Sequence, residues 1–174
     1  MHSLDAIFKP RSIAVIGATA RVGSIGRQIL VNLFAYEFNG NIFPVNPHYE
    51  FIHSTKAYAS VEDIPDTVDL AVIVVPARGV HEAVEQCARK GVKGLVIITA
   101  GFKETGADGA KREQALVDIV RSHGMRLVGP NCMGVLDATP DVRMNATFSP
   151  GHPPAGAISF MSQSGALAVA ILLA

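Results

Sequence analysis

The sequence SIAVIGATARVGSIG, residues 12–26, decides the fold. Its apolar start, residues 13–16, breaks at Gly17 into a loop of small residues that ends at Gly26, and residues 27–34 continue with a helical pattern. The stretch predicts a strand, a loop and a helix. In a doubly wound α/β sheet, the first such turn directs backbone N–H groups and the positive end of a helix toward a phosphorylated ligand, and glycines let that ligand come close. We therefore expect a nucleotide-type cofactor on this loop.

The glycine spacing in this loop does not match the dinucleotide fingerprint. Gly17, Gly23 and Gly26 are spaced G-x5-G-x2-G instead of G-x-G-x-x-G, and glycines can also serve only to form a tight turn. An NAD-binding unit usually carries an Asp or Glu about twenty residues further on, at the end of the second strand. The predicted second strand, residues 42–45, runs into Asn-Pro-His instead, and Glu50 comes late. The pattern favours a ligand but argues against NAD.

Length and composition limit the possible classes of protein. The 174 residues suffice for one full domain and the start of another. Lys plus Arg and Asp plus Glu number 15 each, which leaves no basic field for nucleic acid. Cys87 and Cys132 lack metal-ligand or CxxC spacing, so we expect free thiols, no metal site and a cytoplasmic protein. The absence of an apolar leader and of a long apolar run predicts no membrane association.

Apolar segments alternate with helical patterns along most of the chain. The predicted strands are residues 13–16, 42–45, 70–75, 94–98 and 126–128. Helical spacing follows the first, third and fourth strands, a capped helical turn is predicted over residues 60–65, and residues 1–11 predict a short helix or turn on the sheet edge. This rhythm predicts an α/β fold with a right-handed, doubly wound parallel sheet.

The predicted carboxyl ends of the strands share small, polar, Pro or Gly residues, which suit the lining of a crevice. In an open parallel sheet the ligand lies outside these ends. They fall at residues 17–19, 45–48, 75–78, 98–101 and 129–132. None offers a histidine beside a carboxylate or a set of metal ligands. The sequence is therefore better equipped to hold a ligand than to transform one.

The composition changes after the fifth strand. Residues 137–156 hold four prolines and no periodicity, which predicts a linker. Residues 157–161 then predict a strand, residues 162–165 a loop, and residues 166–174 a helix. One such unit cannot bury a core of its own. Either it packs on the first domain, or the sequence is cut from a longer protein, which is the alternative we favour.

Six short motifs occur in the same order as in a known family. They are IGA at residues 16–18, PVNP at 44–47, VVPA at 74–77, IITAGF at 97–102, GPNCMG at 129–134 and SQSG at 162–165. Together they resemble the N-terminal part of the NDP-forming acyl-CoA synthetases, which include succinyl-CoA ligase α subunits and ADP-forming acetate–CoA ligases. The resemblance implies a Rossmann-like CoA-binding domain over residues 1–149, followed by the truncated start of a flavodoxin-like ligase domain over residues 150–174.

The resemblance also implies which residues bind coenzyme A. The implied set follows the strand ends and is completed by a phosphate-receiving helix start in the SQSG motif. The CoA-binding residues are Gly17, Thr19, Gly23, Ser24, Ile25, Gly26, Val45, Asn46, Pro47, His48, Pro76, Ile98, Thr99, Ala100, Asn131 and Cys132, and the phosphate-binding residues are Ser162, Gln163, Ser164 and Gly165.

Three of these positions carry further implications. Relatives often place a lysine in this bend, where His48 and Tyr49 stand instead, and a histidine offers a phosphate a positive charge only when it is protonated. Succinate-specific relatives carry a glutamate where this chain has Ala100, whereas TAGF is similar to the acetate-type branch. Cys132 would lie near the thiol end of the cofactor, although a small buried residue is its simpler interpretation.

The resemblance implies a ligase whose chemistry lies elsewhere. In this family a histidine in the second domain carries phosphate between NTP and the acyl group, and none of the six histidines here matches it. No catalytic residue is therefore expected in this chain. ATP or ADP and Mg would bind only in missing domains, through an ATP-grasp domain or β subunit, in an oligomeric enzyme. We expect the chain alone to bind CoA or acyl-CoA without turnover.

Other functions remain open from the sequence. The chain could belong to a larger fusion in which an acetyltransferase domain uses the same scaffold. Alternatively, it could be a stand-alone CoA-binding or regulatory module without catalysis. An NAD-dependent oxidoreductase is a weaker alternative, because the ribose-binding carboxylate and an acid or base for hydride transfer are both missing.

Overall fold

A computed structural model describes residues 4–172. The helices are α1 (Asp5–Phe8), α2 (Ile25–Ala35), α3 (Ala77–Lys90), α4 (Ala107–Ser122) and α5 (Gly165–Leu172). The strands are β1 (Ser12–Ile16), β2 (Asn41–Val45), β3 (Phe51–Ile52), β4 (Thr55–Lys56), β5 (Leu70–Ile73), β6 (Gly94–Ile97), β7 (Arg126–Val128), β8 (Gly134–Asp137) and β9 (Met144–Thr147). Short 3-10 turns cover Val61–Asp63 and Lys103–Thr105.

The main sheet has five parallel strands in the order β2-β1-β5-β6-β7. This confirms the predicted Rossmann-like α/β sheet and all five of its strands. The chain runs outward from β1 to β2, and then returns to the other side of β1 with β5, so the strand order reverses between β1 and β5. Ile16 is in register with both Val45 and Ile73, which brings three strand ends to one level. Ligands bind in the crevice at such a switch point.

Alternating side chains of the inner strands supply two cores. Ile13 and Val15 of β1 point to the side covered by α2, whereas Ala14 and Ile16 point to the side covered by α3 and α4. Every residue of β1, β5 and β6 is buried. This explains why these strands are apolar on both faces, as is usual for parallel strands covered by helices.

Local sequence signals set two helix ends, and the capped turn within residues 60–65 was predicted. The Ser60 hydroxyl and the Asp63 carboxylate form a reciprocal capping box around the short 3-10 turn. Gly91 ends α3 in the left-handed conformation, with φ of 83°. Between β6 and α4 lies the 3-10 turn Lys103–Thr105, and α4 begins at Ala107.

The N-terminal segment was predicted to pack on the sheet edge. The described part forms α1, which lies at the start of an inner strand, since a Cβ on Gly94 of β6 would come within 2.8 Å of the Ala6 carbonyl oxygen. Residues 1–3 lie outside the described residues.

The linker predicted over residues 137–156 is wrong for residues 137–147. β8 and β9 form an antiparallel hairpin, and all four residues of β9 are buried. The Asn32 amide of α2 donates hydrogen bonds to the carbonyl oxygens of Thr147 and Ser149, at 2.8 and 2.7 Å. Asn145 and Thr147 bond to each other at 2.7 Å. Polar residues that looked like a linker are instead buried because each has a hydrogen-bond partner.

The strand predicted over residues 157–161 is also wrong. No strand is assigned there, and Ile158 and Met161 are almost fully exposed, at 93% and 97%. An extended segment becomes a strand only when a neighbouring strand takes its backbone hydrogen bonds. The helix predicted after it is confirmed as α5 up to Leu172, while residues 173 and 174 lie outside the described residues.

Within residues 4–172, no helix combines the length and apolar character that crossing a bilayer requires.

Replacement of Asn32 by leucine tests the buried contact between α2 and the hairpin. We expect Asn32→Leu to lower the free energy of unfolding by about 3 kcal/mol, because two buried carbonyl oxygens lose their donor. Urea unfolding followed by circular dichroism measures the change. In the control Asn39→Ala, the lost bond to the Asp141 carbonyl oxygen is exposed, so the cost should stay below about 1 kcal/mol. Equal losses in the two variants would contradict the assigned role of Asn32.

Candidate functional site

An open groove of about 920 Å³ lies at the carboxyl ends of β2, β1 and β5. We call it the switch-point groove. Its walls are the loop after β1, the bend after β2, and one face of α3. The lining residues are Ile16, Gly17, Thr19, Arg21, Gly23, Ser24, Ile25, Gly26, Val45, Asn46, Pro47, His48, Tyr49, Ala59, Val74, Val75, Pro76, Gly79, Glu82, Ala83 and Gln86.

The groove brings together most of the residues that the sequence singled out. From the predicted set it holds Gly17, Thr19, Gly23, Ser24, Ile25, Gly26, Val45, Asn46, Pro47, His48 and Pro76. The remaining strand-end residues, which follow β6 and β7, do not line it: Ile98, Thr99, Ala100, Asn131 and Cys132. The SQSG residues Ser162, Gln163, Ser164 and Gly165 also lie outside it.

Two glycines of the loop are required by close packing. A Cβ on Gly26, in the first turn of α2, would lie 2.3 Å from the Gly17 carbonyl oxygen. Gly17 itself has a φ of 95°, and a Cβ there would meet Val74 at 3.1 Å. Gly23 has open space around it but a φ of 79°, which favours glycine for conformational reasons alone. The helix start is therefore held directly against the switch point.

The amino end of α2 faces the groove with unsatisfied donors. The Ser24 side chain accepts a hydrogen bond from the Arg27 N–H at 3.4 Å and donates one to the Arg21 carbonyl oxygen at 2.7 Å. The N–H groups of Ile25 and Gly26 have no hydrogen-bond partner within residues 4–172. Free N–H groups and the positive end of the helix dipole together favour a bound anion.

The bend after β2 is tied to the loop after β1. The Asn46 side chain donates to the Ala18 carbonyl oxygen at 2.7 Å and accepts from the His48 N–H at 2.9 Å. The hydroxyls of Tyr49 and Thr19 are 3.0 Å apart. These contacts make the loop and the bend one continuous wall. They also give Asn46 a structural role at the place where an NAD-binding unit carries its ribose-binding carboxylate.

Several residues that line the groove were not predicted from the sequence. Arg21 lies inside the glycine loop and was visible there as its one charged side chain. Gly79, Glu82, Ala83 and Gln86 come from one face of α3, and their spacing of three and four residues is a helical signal. The sequence could not tell which helix face meets the groove, because that depends on how α3 packs on the sheet.

Hydrogen bonds connect the strand ends after β6 and β7 to the groove. The Thr99 hydroxyl donates to the carbonyl oxygen of Val75, a lining residue, at 2.7 Å, and the Asn131 N–H donates to the Thr99 carbonyl oxygen at 3.0 Å. The turn that follows Ala100 is braced by Glu104, whose pKa is lowered mainly by the hydrogen bond from the Gly101 N–H. The predicted residues after β6 and β7 thus extend the same sheet edge without lining the groove.

The SQSG motif forms the amino end of α5. The Ser162 hydroxyl accepts from the Ser164 N–H at 3.0 Å, and the Ser164 hydroxyl accepts from the Leu167 N–H at 3.3 Å. A Cβ on Gly165 would lie 3.8 Å from the Cβ of Met133, which follows Cys132 directly. The helix start therefore lies beside the turn after β7, where the resemblance places the thiol end of a cofactor.

The part of the chain that forms the sheet and the groove matches a known protein family. A profile described as a CoA binding domain matches residues 11–138, which include the whole five-stranded sheet and the switch-point groove. The chain belongs to the CoA-binding domain family. Membership in this family supports coenzyme A as the cofactor.

Longer proteins contain close relatives of this CoA-binding domain. It is 48% identical over 169 residues to the ADP-forming acetate–CoA ligase I of Archaeoglobus fulgidus, with 97% of this chain and 24% of the relative covered. It is 48% identical over 174 residues to the alpha subunit of ADP-forming acetate–CoA ligase I from Pyrococcus furiosus, with 98% of this chain and 37% of the relative covered. The chain thus spans between 24% and 37% of these curated relatives.

A solved structure has the same fold as this CoA-binding domain. It is a dinucleotide forming acetyl-coenzyme A synthetase 1 of Ca. Korarchaeum cryptofilum in complex with phosphate and ADP. The TM-score is 0.93 at 45% identity, over 99% of this chain and 36% of that chain.

Replacement of Gly26 by alanine tests the close packing in the CoA-binding domain. We expect Gly26→Ala to lower the free energy of unfolding by about 1–3 kcal/mol and to weaken CoA binding, because α2 must move away from Gly17. Urea unfolding and calorimetric titration with CoA measure the two effects. The control Gly156→Ala adds a methyl group where nothing lies within 4 Å and should leave both unchanged. Wild-type CoA affinity in Gly26→Ala would refute the assigned role of this packing.

The two thiols of the CoA-binding domain should react slowly. Burial raises the pKa of Cys132 to about 11 and that of Cys87 to about 12, and the Cys132 thiol donates to the Ile97 carbonyl oxygen at 3.3 Å. At pH 8 only about one Cys132 thiol in a thousand is then ionised. We expect native protein to react with Ellman's reagent at least roughly a hundredfold more slowly than a free thiol, with the rate rising toward pH 11. Rapid reaction at pH 8 without denaturant would contradict this.

Proposed function

We propose that this chain is the CoA-binding part of an ADP-forming acyl-CoA synthetase of the acetate type. The whole enzyme converts acyl-CoA, ADP and phosphate into the free acid, CoA and ATP, and the reverse. The observation that carries the proposal is the switch-point groove, where the start of α2 presents free N–H groups to an anion within a matched CoA-binding domain. The similarity to two ADP-forming acetate–CoA ligases supports this reaction.

Different regions of the groove bind different parts of the cofactor. The loop with Gly17, Thr19 and residues 23–26 takes the diphosphate, because it combines open N–H groups with the positive end of α2. The bend of residues 45–48 borders the ribose end of the nucleotide. The pantetheine arm then runs along the sheet edge past Pro76 toward the turns after β6 and β7.

The far end of the arm reaches the second region of the chain. Residues 98–100, Asn131 and Cys132 border the thiol end, and the SQSG residues at the start of α5 receive phosphate. The packing of Gly165 beside Met133 supports this, since it sets the two positions next to each other. The domain boundary falls at residues 149 and 150, with the second domain beginning in the segment that carries α5.

The remaining chemistry belongs to partners of this chain. A phosphorylated histidine outside it carries phosphate, and an ATP-grasp domain or β subunit binds ATP or ADP with Mg. One relative is named as an alpha subunit, which supports a multi-subunit enzyme. We place the enzyme in the cytoplasm as an oligomer. By itself, this chain binds CoA and does not turn over.

Calorimetric titration of the purified chain with CoA, dephospho-CoA and NAD tests the proposal. We expect CoA to bind, dephospho-CoA to bind more weakly because it lacks the 3′-phosphate, and NAD to bind least. Arg21→Ala should weaken CoA binding about tenfold, because a charged partner at the diphosphate end is lost. The control Arg121→Ala removes the same charge from α4, outside the groove, and should leave the affinity unchanged. A preference for NAD, or ligase turnover by this chain alone, would overturn the proposal.

A further inference from the structure

One wall of the switch-point groove has the wrong charge for phosphate. Glu82 and Gln86 of α3 line it, and the Glu82 side chain keeps 60% of its surface exposed. A carboxylate repels the phosphates of a nucleotide, so this wall must face a part of the ligand that carries hydrogen-bond donors. The diphosphate is drawn to the other wall, where α2 begins.

A chain of hydrogen bonds that runs from Ser60 through Gln86 orients the Glu82 carboxylate. The Ser60 hydroxyl donates to Oε1 of Gln86 at 3.1 Å, and Nε2 of Gln86 donates to Oε1 of Glu82 at 3.0 Å. Arg89 adds a longer contact to the same Glu82 oxygen at 3.5 Å, while Glu62 holds Arg89 by two bonds of 3.0 Å. Ser60 is itself fixed by its capping box. The carboxylate is thus oriented by the protein before any ligand arrives.

One of the two carboxylate oxygens of Glu82 takes no part in these hydrogen bonds. Every bond just described to Glu82 uses Oε1, and Oε2 has no partner within residues 4–172. An ionised carboxylate accepts hydrogen bonds and cannot donate them. Oε2 is therefore suited to an N–H or O–H donor of the ligand and unsuited to a carbonyl group.

The nucleotide handle of coenzyme A offers such a donor in the 6-amino group of adenine. Ala59, Gly79 and Ala83 line the same groove, and because none of them has a large side chain, a flat base fits against them. Hypoxanthine has the same shape but carries a 6-oxo group, which would place an acceptor against the carboxylate. A site built on one hydrogen-bond polarity rejects the opposite one strongly, because its polar groups are then left unpaired.

We propose that Glu82 is a specificity-determining residue that accepts a hydrogen bond from the 6-amino group of adenine, and that Gln86 positions it. This inference rests on the proposed binding of CoA in the groove. It assigns the base to the α3 wall and the diphosphate to the α2 wall, and it makes binding selective for adenine.

The test compares CoA with its analogue in which hypoxanthine replaces adenine, by calorimetric titration of the full chain. We expect the wild-type protein to bind CoA at least about tenfold more tightly than the analogue, which corresponds to about 1.4 kcal/mol. In Glu82→Gln, the new amide can donate to the 6-oxo group, so the preference should vanish or reverse. Gln86→Ala should weaken the preference without reversing it. The control Glu85→Gln changes the same charge on an exposed residue of α3 outside the groove and should keep the wild-type preference.

The outcomes separate this inference from the proposed function. If CoA does not bind the wild-type chain, the proposed function fails. If CoA binds but the analogue binds equally well, or if Glu82→Gln keeps the wild-type preference, Glu82 does not read the base and only this inference fails. An equal loss of preference in Glu85→Gln would also overturn it, because a general charge effect would then explain the result.

Discussion

The approach of α2 to the end of β1 is the constraint on which the structure depends. A single missing Cβ at Gly26 lets the helix start against the Gly17 carbonyl oxygen, where a side chain would leave only 2.3 Å. This contact sets the free N–H groups of the first helical turn at the point where the strand order reverses. The anion site that we propose in the groove therefore depends on backbone packing more than on charged side chains.

The opposite end of α2 is held by buried polar contacts. Asn32 binds two carbonyl oxygens of the hairpin segment, and Gln28 donates to the Asn32 side chain at 2.8 Å. The same helix thus follows the loop after β1 at one end and packs along the β8–β9 hairpin on its flank. Buried polar groups cost free energy unless they are paired, so this network specifies one position of the hairpin.

The sequence predicted the main sheet well and the region after it poorly. Strands β1, β5 and β6 are apolar runs bounded by Gly or Pro, and such runs have few alternatives in an α/β protein. The hairpin segment was predicted to be a linker because Asn145, Thr147 and Ser149 are polar. Nothing local indicates that Asn32, more than a hundred residues away in sequence, donates to the carbonyl oxygens of Thr147 and Ser149. The strand expected at residues 157–161 failed for the opposite reason: its side chains suit a sheet, but no described strand pairs with it.

The candidate site, like the fold, was predictable from the sequence only in part. By itself, the sequence determined the loop after β1, the strand ends and the family, because glycine spacing, apolar runs and short motifs are local properties of the chain. Only the tertiary structure decided which strand ends share one groove, and that Glu82 and Gln86 form its far wall. The physical reason is that a helix face acquires a function only from what it packs against, and the crossover from β2 to β5 determines what α3 faces.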